Sequence, residues 1–153
     1  PAIAYTLASG KLPRRRAVES LEAFRSRVQA ADKEIFLITM GSLAEYKARA
    51  DFSTGFFQVA GFKVVSGTGY TDIPSALAAA KDYDAVCICS TDDKYVELVP
   101  LLCKGLESKL KILAGYPADK VEDYKAAGID IFIHIRSNAF DTLYEIASKM
   151  GVN

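Results

Sequence analysis

His134 is the only histidine in the chain and the one side chain whose ordinary pKa lies near neutrality, so it is the first candidate for proton transfer. No Ser or Cys nucleophile stands in its sequence context, and it reads as a structural hydrogen-bonding residue. Cys87, Cys89 and Cys103 form an odd, sparse set. The first two share one face of a strand, and a metal centre would need further Cys or His ligands that are missing nearby, so all three read as buried, reduced thiols. Asp92-Asp93 could hold a divalent cation, but paired acids opening a helix more often complement its dipole and cap free amides. Ser66-Gly67-Thr68-Gly69 looks like a phosphate cradle, yet it lacks a third glycine and follows the second strand instead of the first. Arg14-Arg15-Arg16 could meet phosphate or a partner's carboxylates, and is an interface candidate on an otherwise solvated surface.

The elements that must position these residues follow from the apolar pattern. Short runs at Ile35 to Met40, Phe62 to Val65, Tyr83 to Cys89, Leu110 to Leu113 and Ile129 to Ile133 read as strands, the first and third apolar on both faces. Helical spacing fills the gaps. Phe52, Phe56 and Val59 stripe the helix after the first strand, and Ile73, Leu77 and Ala80 the next. Tyr95, Leu98, Val99, Leu102 and Leu106 mark a third, Val121 and Tyr124 a fourth, and Phe140, Leu143, Tyr144, Ala147 and Met150 the last. Gly61 and Gly128 suit left-handed helix ends, Pro117 the first turn of the fourth helix, and Pro100 should kink or split the third.

Strands alternating with helices predict a doubly wound α/β fold, a five-stranded parallel sheet in flavodoxin-like order 2-1-3-4-5. Ligands of such sheets bind at the carboxyl ends of the strands, here Gly41 and Ser42, Ser90 and Thr91, and Gly115 and Tyr116. Residues 1–33 read as a linker and leading helix, with Ala17, Leu21, Phe24 and Val28 as the apolar stripe of a helix near Ala17 to Ala30; residues 34–153 form the α/β domain. A receiver domain would need an acidic cluster after strand one and a Lys after strand five, where this chain has Met40-Gly41 and His134-Ile135.

Composition excludes broader classes. Nineteen Lys plus Arg balance nineteen Asp plus Glu in 153 residues, so no global field draws the domain to nucleic acid or an anionic membrane. The longest stretch free of charged residues, Phe52 to Phe62, is 11 residues, short of the ~20 a spanning helix needs. With no secretory signal visible, a cytoplasmic location is the expectation. A chain opening at Pro1 reads as an excised domain.

Residues 34–152 resemble the cobalamin-binding domain of methylmalonyl-CoA mutase. Val86 to Pro100, ending Leu98-Val99-Pro100, is similar to the family's strand, Ser-x-Leu loop and Leu-Val-Pro helix. Thr54-Gly55-Phe56 to Ala60-Gly61-Phe62-Lys63-Val64 resembles its first helix and second strand, and Leu113-Ala114-Gly115 falls at its Gly-Gly. The resemblance implies a site that this chain has lost. Members that hold the corrin use Asp-x-His-x-x-Gly after strand one, where the His coordinates cobalt; the matching positions here are Ala44, Tyr46 and Arg49. Ser-x-Leu becomes Cys89-Ser90-Thr91 and Gly-Gly becomes Ala114-Gly115.

Such a pattern is similar to the small subunits of heterodimeric mutases. It implies a C-terminal, non-catalytic domain without its own cofactor, catalytic residue or metal, within an isomerase of propionate metabolism. Adenosylcobalamin would sit in a large-subunit partner that converts methylmalonyl-CoA to succinyl-CoA. The Arg14 to Phe24 stretch is similar to the family's arginine-rich linker and helix. The alternative is a free-standing module binding a small ligand or anion among Gly67, Gly69, Ser90 and Gly115.

Overall fold

A computed structural model describes residues 19–135 and 138–152. Ala17 and Arg14-Arg15-Arg16 lie outside the described residues. The leading helix, α1 (Leu21–Ala31), begins at Leu21 because Ser20 caps it, its hydroxyl accepting from the Ala23 N–H at 3.0 Å. It ends at Asp32, whose positive φ of 55° closes the helix in the left-handed region.

Five βα units follow: β1 (Glu34–Thr39) and α2 (Leu43–Val59), β2 (Lys63–Ser66) and α3 (Ile73–Ala80), β3 (Ala85–Cys89) and α4 (Asp92–Gly105), β4 (Leu110–Ala114) and α5 (Val121–Ala127), β5 (Ile131–Ile133) and α6 (Ala139–Lys149). All neighbouring strands are parallel, in the expected order β2-β1-β3-β4-β5. Alternation along the strands divides the core in two. Ile35, Leu37, Cys87, Ile112 and Ile131 face α1, α2 and α6 on one side. Phe36, Ile38, Val86, Ile88 and Leu113 face α3, α4 and α5 on the other. The expected thiols are buried and free.

Several expected details change. Tyr83 is outside β3 because its N–H closes the end of α3 on the Ala80 carbonyl, and Ile129 is outside β5 because its N–H returns to Tyr124 across Gly128. Pro117 precedes α5, its carbonyl accepting from the Lys120 N–H in a turn. Pro100 does not split α4, which runs unbroken from Asp92 to Gly105; Pro100 and Val96 are exposed, so the carbonyl deprived of its helical donor faces water. The buried face of α2 is Ala50, Ser53 and Phe57, with Phe52 and Phe56 half-buried and Val59 exposed. Both sheet faces being covered, α2 needs only a narrow buried line, and small Ala50 and Ser53 let it approach β3.

Phe24 is fully buried between Phe140 and Tyr144, ring centroids at 5.5 Å from each, so α1 is part of the core. Phe24→Ala should lower unfolding free energy by about 3 kcal/mol, read from urea denaturation. Cys103 provides a pH test. Burial, chiefly, pushes its thiol up to about 11 from 9.0. The folded chain then keeps a proton that the unfolded chain releases, so stability is full below pH 9 and falls from there toward pH 11. Urea midpoints should decline across that window, and less steeply in Cys103→Ala.

Candidate functional site

The carboxyl ends of parallel strands leave carbonyl groups that need donors. In this chain a single cation supplies two of them. Arg49, two turns into α2, projects over the ends of β3 and β4, and its Nη1 donates to the carbonyls of Ser90 at 3.1 Å and Ala114 at 3.0 Å. Nη2 donates to Asp92 Oδ1 at 2.9 Å. The guanidinium lies 5.5 Å from the centroid of the Tyr95 ring. Burial works against this charge, but Tyr95 and Asp92 outweigh it and raise the pKa above the ordinary arginine value.

Gly115 makes the approach possible. A Cβ there would stand 2.8 Å from Arg49 Nη1, and its φ of 133° is one that only glycine adopts readily. Its N–H continues the ladder by donating to Ile133 at 2.7 Å. Beneath the guanidinium lies a second layer of bonds. The Tyr95 hydroxyl accepts from the Ser90 N–H at 3.0 Å and donates to the Ala114 carbonyl at 2.7 Å, while Ser90 Oγ donates to the Met40 carbonyl at 2.8 Å. Burial, followed by the nearby Cys89, pushes the Tyr95 phenol well up, so it remains a neutral donor. The ends of β1, β3 and β4 are thus tied together by Ser90, Tyr95 and Arg49.

The other sequence-derived positions fall around this network in unequal ways. Ala44, Tyr46 and Arg49 all belong to the first two turns of α2, because Ser42 caps it and donates its N–H to Glu45 Oε1 at 2.8 Å. That bond, above all, holds the Glu45 carboxyl below its usual range, with burial opposing and Lys94 assisting. Ala44 is exposed. Tyr46 is half-buried and packs under Gly69, where a Cβ would come within 2.9 Å of its ring. Cys89 is buried with Sγ 3.7 Å from Ser53 Oγ, and burial raises the neighbouring Cys87 thiol far above its ordinary value. Thr91 caps α4, accepting the Lys94 N–H at 3.3 Å.

Ser66-Gly67-Thr68-Gly69 is not an open cradle: the Gly69 N–H donates to buried Thr39 Oγ1 at 2.9 Å, and a Cβ on Gly67 would strike Tyr70 and the Leu37 carbonyl. Asp92 and Asp93 lie in the first turn of α4 as expected, though the cap itself is Thr91 and Asp92 also serves Arg49. His134 stands 4.7 Å from the Tyr116 ring, on the wall of a cleft of about 680 Å³ bordered by Arg49, Phe52, Gly115 and Ile135. Among the described residues no group of three His, Cys, Asp or Glu is arranged to hold a metal ion. Sequence reasoning missed Tyr95, Ser90 and Asp92 as partners of Arg49. The available signal was a Tyr in an otherwise aliphatic stripe, whose hydroxyl must find partners when buried.

No protein-family model matches the chain. Over 142 residues, 90% of its length, it is 33% identical to the methylmalonyl-CoA mutase small subunit of Porphyromonas gingivalis. Over 151 residues, 94% of its length, it is 29% identical to the protein of the same name from Streptomyces virginiae. The chain spans about a quarter of the length of these relatives, 23% and 24%. The resemblance read from the sequence is therefore matched by two homologues across nearly the whole chain.

The geometry ranks the interactions. Arg49→Ala removes two carbonyl partners and should cost about 2 kcal/mol in urea denaturation, whereas Asp92→Asn, at a side chain 58% exposed, should cost under about 1 kcal/mol. Tyr95→Phe strands the buried Ser90 N–H and should cost about 1 to 2 kcal/mol by the same measurement.

Proposed function

We propose, from the homology of this chain to methylmalonyl-CoA mutase small subunits, that it is a non-catalytic, structural domain of such a subunit. In this reading the subunit pairs with a large subunit in the cytoplasm, and the large subunit carries adenosylcobalamin and interconverts methylmalonyl-CoA and succinyl-CoA. The cofactor supplies the radical chemistry of that reaction when bound. This domain supplies a folded surface for assembly. Among the described residues no helix is long and apolar enough to cross a membrane.

The observation that carries the proposal is the Arg49 fork on the Ser90 and Ala114 carbonyls. A corrin held against this edge would need a neutral imidazole toward cobalt and open space under the β4 glycine. Tyr46 offers a phenol packed under Gly69, and the space beneath Gly115 is filled by a guanidinium. Both the ligand and the room for it are missing, so the residues present do not fit the cofactor. Meanwhile the five-stranded sheet and the two apolar clusters are in place. Such a domain retains the requirements of folding without those of cobalt binding.

A second reading is favoured by one specific feature, the cleft beside Tyr116 and His134. A free-standing module could take a small ligand there. Nucleotides and acyl-CoA compounds separate the two readings, because a ligand of the native state raises the thermal midpoint by mass action. The structural reading expects no shift.

Adenosylcobalamin titrated into the domain should leave the corrin absorbance unchanged and release no heat; micromolar binding with a shifted spectrum would contradict the proposal. Co-expression of a full-length small subunit with its large subunit should yield a copurifying pair. Removing this domain should weaken that assembly, and unaltered assembly and turnover would rule out the supporting role.

A further inference from the structure

We draw no further inference here: the strongest candidate, the cleft beside Tyr116 and His134 at the carboxyl ends of the strands, belongs to the site already described, and the charged groups on its wall, Arg49 and Asp92, are already paired with each other.

Discussion

A guanidinium shared between the ends of two neighbouring parallel strands is the constraint on which the carboxyl edge depends. The carbonyls of Ser90 and Ala114 point out of the sheet where no further strand residue can answer them, and a charged, planar donor on α2 meets both. Glycine at 115, the phenol of Tyr95 and the acid at Asp92 are each shaped by it: the first gives it room, the second supports its face, and the third neutralises its outer edge. In a doubly wound fold this edge is ordinarily where a ligand would make the missing contacts. Here side chains of the same chain make them.

The consequence spreads inward. Ser90 ties β3 to Met40 after β1, and Tyr95 ties α4 to the ends of β3 and β4, so the loops of three units are cross-linked by bonds that lie out of water. Satisfied networks of this kind are rigid because every alternative leaves a buried group without a partner. The opposite end of the sheet uses the same device with lysines. Lys111, 6% exposed within β4, donates to the carbonyls of Lys109 at 2.8 Å and Leu106 at 3.2 Å, gathering the turn that follows α4.

The central strands were legible because Ile35 to Thr39 and Ala85 to Cys89 are continuous short apolar runs, buried along their whole length as the middle of a parallel sheet requires. Helix limits were less so, since they are set by single hydrogen bonds such as those at Ser20 and Ser42, and many residues of the chain could have made them. Pro100 was misjudged because its cost depends on whether the affected carbonyl faces water, a tertiary fact. Arg49 was visible only as an intrusion where the resembling family has glycine. Its positive contribution could not be read, because its acceptors are backbone carbonyls 41 and 65 residues away, and carbonyls carry no residue type. Lys111 was hidden likewise, as a charge inside an apolar run whose hydrogen-bond acceptors are main-chain carbonyls, with the Asp130 carboxylate farther off at 3.8 Å.

The carboxyl edge depends on whether the Arg49 guanidinium is fixed at the strand ends. Nitrogen-15 NMR of the arginine side chains reads this directly, with Arg49→Lys identifying the signal. A bonded fork should give separate, slowly exchanging Nη1 and Nη2 protons for Arg49, because rotation about its terminal bonds would break contacts to Ser90, Ala114 and Asp92 together. A single averaged signal exchanging rapidly with water, like that of an exposed surface arginine, would contradict the account.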